Sequence, residues 1–216
     1  MPDKDFRLVA QTSALVVVDM QNDFLDPDGY FAQRSLDVGP LRQVIEPTAR
    51  LREALPPAVR TVFTAQVYEP DGSDDLNLVH RLKPARLVRR GEGAPVQRGS
   101  WGARIIDRLA PGPADRVVEK RRFDAFYRTD LERLLRTWGI DTLIFAGVVA
   151  DVCVETTVRS AYVRDFDVVW AIDCVGAWTA EDLRRSREAI EAHFGVARSG
   201  AEILAALGPA GGALAQ

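Results

Sequence analysis

Three residue types that often carry chemistry are scarce in this chain. Its 216 residues include two histidines, two cysteines and three lysines, and arginine supplies nearly all of the positive charge. The formal net charge is -3, with no basic stripe, which argues against an electrostatic nucleic-acid partner. Long apolar runs are missing too. The longest are of strand length, far below the roughly twenty residues of a membrane span. Met1 to Gln11 mixes charges and lacks the apolar core of a secretion signal. The expected compartment is therefore the cytoplasm, with Cys153 and Cys174 as two reduced thiols rather than one disulfide.

What is present is ordinary for a globular protein: 47% hydrophobic and 27% charged residues, enough for a single domain over 1–216 with a substantial core. Strand-type and helix-type segments alternate. Ala14 to Asp19, Ala58 to Ala65, Arg116 to Glu119, Thr142 to Val149 and Asp167 to Ile172 read as strands, with a short edge strand at Val196 to Arg198. Helical spacing predicts helices over Leu41 to Leu55 (bent or split at Pro47), Trp101 to Leu109, Asp151 to Arg164 and Glu202 to Leu207. Two more helices carry capping pairs, Thr129 with Glu132 at the start of 129–138 and Thr179 with Asp182 at the start of 179–194. Gln66 to Ser100, rich in Gly and Pro and without periodicity, reads as a lid or the wall of a site. This alternation predicts a three-layer α/β/α fold on a mostly parallel, roughly six-stranded sheet. Ligands of such sheets sit outside the carboxyl ends of the strands.

Three residues at those ends make chemical sense together. Asp19 closes the first strand, Lys120 follows the third and Cys153 follows the fourth. A thiol is mostly protonated at neutral pH. Helix N–H groups and a neighbouring ammonium favour its thiolate, and a carboxylate can take its proton. The N–H groups of the turn between Val149 and Cys153 suit a developing oxyanion. Neither His80 nor His193 follows a strand, which points away from a Cys–His dyad, although one using His193 is an alternative. Taken singly, each residue also has an ordinary reading: an inert buried thiol, a turn aspartate, a solvated lysine.

The surrounding blocks lift them. ALVVVDMQNDF at Ala14 to Phe24, GSWGARIIDRL at Gly99 to Leu109, VVEKRRFDAFYRTDL at Val117 to Leu131 and FAGVVADVCVETT at Phe145 to Thr157 occur in order. Together they resemble the isochorismatase-like cysteine hydrolases, over nearly the whole chain. The blocks look closest to those of ureidoacrylate amidohydrolases. The resemblance implies Asp19 as general base, Lys120 as the cationic member and Cys153 as nucleophile. It implies a cis peptide bond at Val148–Val149, with the N–H groups of Val149 and Cys153 as the oxyanion hole. It also implies a pocket lined by Gln21, Phe24, Trp101, Phe123 and Phe126, residues whose alternative role is core packing.

Two departures bear on function. Ala150-Asp151 stands where many members have Thr-Asn. Thr64-Ala65-Gln66 stands where nicotinamidases carry a metal-binding Asp-x-His, so no metal and no other cofactor is expected. The resemblance implies a thioester-forming hydrolase acting on a C–N bond of a small linear amide or ureide, assembled as a homo-oligomer (dimer or tetramer). The alternatives are a hydrolase of nicotinamide-like amides and a catalytically silent binding or assembly module on the same scaffold.

Overall fold

The computed structural model describes residues 7–73 and 94–208. The centre of the expected lid, together with Lys4, Lys83 and His80, lies outside them. The six strands are β1 (Ser13–Val18), β2 (Arg60–Gln66), β3 (Arg116–Lys120), β4 (Thr142–Val148), β5 (Asp167–Gly176) and β6 (Val196–Arg198). They form one sheet in the order β3-β2-β1-β4-β5-β6, and every pairing is parallel. The helices that cover it are α1 (Ile45–Ala54), α2 (Leu131–Thr137), α3 (Glu155–Tyr162), α4 (Ala180–His193) and α5 (Gly200–Leu207).

Sequence pattern accounts for the layering. Central strands β1 and β4 are buried along their whole length, as strands covered on both faces must be, whereas edge strand β3 alternates. Successive side chains of a strand point to opposite faces. Val16, Val18, Phe145 and Trp170 therefore pack under Leu135 of α2, Val158 of α3 and Ile190 of α4. Leu15, Val17, Phe63 and Ile144 pack under Leu51 of α1 and Ile203 of α5. Among the described residues, no helix is long and apolar enough to cross a membrane.

Several expected boundaries move. The helical pattern at Leu41 to Leu55 divides into a single turn, Gly39–Arg42, and α1, whose first turn contains Pro47, where a missing N–H costs no helical bond. β5 runs on to Gly176. The capping at Thr179 is as expected: its hydroxyl accepts the Asp182 N–H. Thr129 is displaced from the expected cap position. Helix α2 starts two residues later, and the Thr129 hydroxyl accepts the Leu131 N–H at 3.3 Å and donates to the Ala125 carbonyl, with no bond to Glu132.

Trp101 to Leu109 is not a helix. Only Asp107–Leu109 makes a 3-10 turn. The carbonyls of Gly102, Ala103 and Arg104 are claimed by donors from residues 21–23 and lost to a helical ladder, and that of Trp101 is shared between Asn22 and a single turn bond from the Arg104 N–H. The apolar spacing there serves docking onto the segment after β1, which Gly102 permits: a Cβ at that position would lie 2.1 Å from the Asp23 carboxyl.

The strand order reverses between β1 and β4. β1 is followed by β2 and β3 on one side, and the chain then crosses to β4 on the other. This is the switch point at which open parallel sheets bind ligands. Val18 pairs with Gly147 there. Gly147 has φ +118°, and a Cβ on it would stand 2.1 Å from the Val18 carbonyl oxygen. Gly147→Ala is therefore expected to destabilise the protein by about 3 kcal/mol or more. Urea denaturation measures this, and a loss within about 0.5 kcal/mol contradicts it.

Candidate active site

Asp19 follows β1 directly, with φ +51°, a left-handed conformation that Asp enters more easily than most residues. Its carboxylate is buried. Oδ1 accepts the Thr64 hydroxyl at 2.7 Å, and Oδ2 lies 2.6 Å from the Lys120 ammonium. That approach is an ion pair without a directed hydrogen bond, because Oδ2 receives no well-aligned donor among the described residues. Lys120, the last residue of β3, is also buried. Its Nζ donates to Gln66 Oε1 at 2.9 Å and to the Arg122 carbonyl at 3.0 Å.

The register of the sheet explains the meeting. Thr64 pairs with Val18 across β1 and β2, and Gln66 pairs with Lys120 across β2 and β3. Three neighbouring strands thus deliver polar side chains to one end of the sheet.

The nucleophile candidate arrives from the other side of β1. The Val148–Val149 peptide is cis. Ala150–Val154 then forms a π-type turn before α3. The Val149 carbonyl accepts the N–H groups of Val152 at 3.1 Å and Val154 at 3.2 Å, passing over the N–H of Cys153 between them. Cys153 is buried, and its thiol lies within electrostatic reach of both Asp19 and Lys120. Asp19, Lys120 and Cys153 therefore converge. The Thr157 hydroxyl ties the turn to the segment after β3, meeting the Cys153 carbonyl at 2.7 Å and the Phe123 carbonyl at 3.2 Å.

Electrostatics corrects one expectation. The surroundings of Cys153, taken together, do not favour its thiolate. Burial pushes its proton affinity far above that of an ordinary thiol and the Asp19 carboxylate adds to this, while the Lys120 ammonium only partly offsets both. For Lys120 the balance runs the other way. Burial disfavours its charge, but the neighbouring Asp19 carboxylate favours it, and the net direction is upward. Cys174 is free and buried, and burial raises its thiol to about 12.

The five expected pocket residues separate. Gln21 is a clamp: its Nε2 donates to the carbonyls of Gln66 and Ala103, both at 2.8 Å, and its Oε1 accepts the Gln66 N–H at 2.8 Å. Phe126 takes the core alternative, 5% exposed, with its ring against Phe166. Phe24 stacks on Phe31 with ring centroids 5.0 Å apart. Trp101 and Phe123 keep 45% and 42% exposure, so both remain open to a ligand or another surface. Sequence reading missed Thr64 and Gln66. Their positions at the end of β2 were the available sign, but they were weighed only as absent metal ligands. Among the described residues, no cluster of His, Cys, Asp and Glu has the makings of a metal site.

Comparison with known proteins gives a consistent result. A family model described as the isochorismatase domain matches residues 13–202. Ureidoacrylate amidohydrolase RutB of Methylorubrum extorquens is 36% identical over 165 residues, which is 73% of this chain and 66% of that protein. RutB of Methylobacterium radiotolerans is 34% identical over 94% of this chain and 84% of its own length. A cysteine hydrolase from Pseudomonas syringae pv. phaseolicola superposes with a TM-score of 0.79 at 27% identity, covering 97% of this chain and all of that one. N-carbamoylsarcosine amidase from Thermoplasma acidophilum does so with a TM-score of 0.69 at 25% identity, over 88% and 96% of the two chains.

Lys120→Met removes the cation from a buried carboxylate and is expected to cost about 3–5 kcal/mol of stability. The double variant Asp19→Asn, Lys120→Met should recover most of that loss. Denaturant titration of the three proteins tests the pair. A single-variant cost below about 1 kcal/mol means the two charges do not depend on each other.

Proposed function

The chain belongs to the isochorismatase family of hydrolases, and from that premise we propose that it cleaves a C–N bond of a small linear amide or ureide, with Cys153 as nucleophile. One observation carries this reading: a buried thiol lies within electrostatic reach of a buried carboxylate whose Oδ2 lacks a directed donor, and a buried ammonium neutralises that same carboxylate.

Because the thiol rests protonated, attack and proton transfer are coupled. Asp19 Oδ2 takes the thiol proton as Sγ bonds to the substrate carbonyl carbon. The carbonyl oxygen becomes an oxyanion, held by the N–H groups of Val149 and Cys153, the second of which the π-type turn leaves outside the Val149 carbonyl pairing. Collapse of the tetrahedral intermediate breaks the C–N bond. The departing nitrogen takes the proton from Asp19 and leaves as ammonia or an amine, with the acyl group as a thioester on Cys153. Asp19 then accepts a proton from water, whose oxygen attacks the thioester. The C–S bond breaks and the proton returns to sulfur. Lys120 keeps its charge throughout and stabilises the thiolate as it forms and leaves. No step draws on a metal.

The substrates of the RutB and N-carbamoylsarcosine relatives are linear ureido compounds by name, which supports the ureide class. Assembly as a homo-oligomer and residence in a reducing, cytoplasmic compartment are part of the same proposal. The free thiols at Cys153 and Cys174 fit that compartment.

Cys153→Ala and Cys153→Ser are expected to abolish ammonia release from a panel of amides and ureides while leaving the unfolding midpoint nearly unchanged. Turnover that survives either change refutes the nucleophile. A second test follows from the sign of the charge effects. Asp19 raises the proton affinity of Cys153 and Lys120 lowers it. Asp19→Asn should therefore move thiolate formation, followed by ultraviolet absorbance against pH, to lower pH than in the parent, even as turnover collapses. A shift to higher pH contradicts the proposed arrangement.

A further inference from the structure

Gln66 holds a feature that the catalytic steps do not use. The residue is 3% exposed, and its side-chain nitrogen, Nε2, has no hydrogen-bond partner among the described residues. The orientation of its amide is fixed by chemistry. Lys120 Nζ, 2.9 Å from Oε1, is a donor only, and a flipped amide would set an NH2 group against an ammonium. The orphan is thus a true donor. Leaving such a group unpaired in a buried place costs about 1–3 kcal/mol, so its retention at a site calls for a reason.

The neighbours do not provide one. The Gln66 backbone N–H and carbonyl are already taken by Gln21. Lys120 directs two of its N–H groups at Gln66 and the Arg122 carbonyl and sets its charge against Asp19. Gln66 Nε2 is the unpartnered donor beside it. Position narrows what it would meet. β2 lies two strands away from β4, about 10 Å at the usual strand spacing. A substrate whose reacting carbonyl sits over the Val149–Cys153 turn would bring a different atom to Gln66, several bonds along.

We propose that Gln66 Nε2 is a specificity determinant that donates a hydrogen bond to a second acceptor oxygen at the far end of the substrate, a carboxylate or amide carbonyl oxygen. This rests on the reading of the strand ends as the substrate site and narrows it. A linear ureide with a terminal oxygen acceptor is preferred to one with an alkyl end. Gln66 Oε1, in the same stroke, positions Lys120.

The test uses binding in a Cys153→Ala background, so that no turnover is needed, with three probes: 3-ureidopropionate, 3-ureidopropionamide and the apolar isostere 3-methylbutylurea. Gln66→Glu keeps an acceptor for Lys120 and removes the donor, whereas Gln66→Met removes both. The expected result by calorimetric titration is that Gln66→Glu lowers the affinity ratio of an acceptor-bearing probe to the isostere by about tenfold or more. The two acceptor probes show whether the oxygen is a carboxylate or a neutral carbonyl. Equal weakening of all three probes in Gln66→Glu overturns the proposal and leaves Gln66 as a positioning residue for Lys120. So does failure of every probe to bind the Cys153→Ala protein. Gln66→Met, with its fold checked by circular dichroism, must show the same fall in ratio. Ammonia release by the parent protein is read separately. Its absence across the panel counts against the hydrolase reading, whereas an unchanged affinity ratio counts against Gln66 alone.

Discussion

The ion pair between Asp19 and Lys120 is the constraint on which the site depends. Both groups are withdrawn from water, and neither charge is tolerable alone in that environment, since isolated buried ions cost several kcal/mol each. The pair persists because the sheet register brings further polar groups to the same place. Thr64 satisfies one carboxylate oxygen, and Gln66 and the Arg122 carbonyl satisfy two of the ammonium donors. Each of these groups is at, or just after, a strand end. The polar cluster therefore exists only when β1, β2 and β3 are in register, and a one-residue slip would turn these side chains to the other face.

The same pair sets the state of the thiol. With Asp19 ionised, Lys120 charged and Cys153 protonated, the three groups sum to zero charge. Moving the proton from sulfur to Asp19 leaves that sum unchanged. Ionising the thiol to solvent would instead place a net negative charge in a desolvated site, which burial resists. In the proposed mechanism the sulfur is thus nucleophilic only while the carboxylate can take its proton. A resting thiol of this kind is also less exposed to oxidation, whose susceptibility follows thiolate character.

Most of the architecture was legible because continuous apolar runs of β-branched residues are unambiguous. ALVVV and TLIFAGV each predict a buried strand, and each is one. The grouping of Asp19, Lys120 and Cys153 was legible because all three stand at strand ends in blocks of familiar order. Trp101 to Leu109 failed because apolar spacing does not reveal where carbonyls find donors, and here the donors come from residues 21–23. The expectation that its neighbours favour a thiolate at Cys153 failed for a related reason. Sequence places an ammonium near the sulfur but does not reveal how far both are removed from water, and desolvation outweighs the attraction.

Gln66 was illegible for a different reason again, and its case shows how the sheet divides the labour. β2 and β3, on one side of β1, carry polar side chains that do not change protonation during the proposed reaction. β4, on the other side, leads into the turn that holds Cys153 and the N–H groups proposed to face a developing charge. Asp19 stands between them and is the proposed proton carrier. A residue on the β2 side is therefore matched to parts of a substrate that do not react, and chemistry-based reading of a sequence, which looks for nucleophiles, acids and metal ligands, passes over a glutamine. What singles it out is an accounting of donors and acceptors: one lysine fixed by two carbonyl-type acceptors, and one buried amide with a donor to spare.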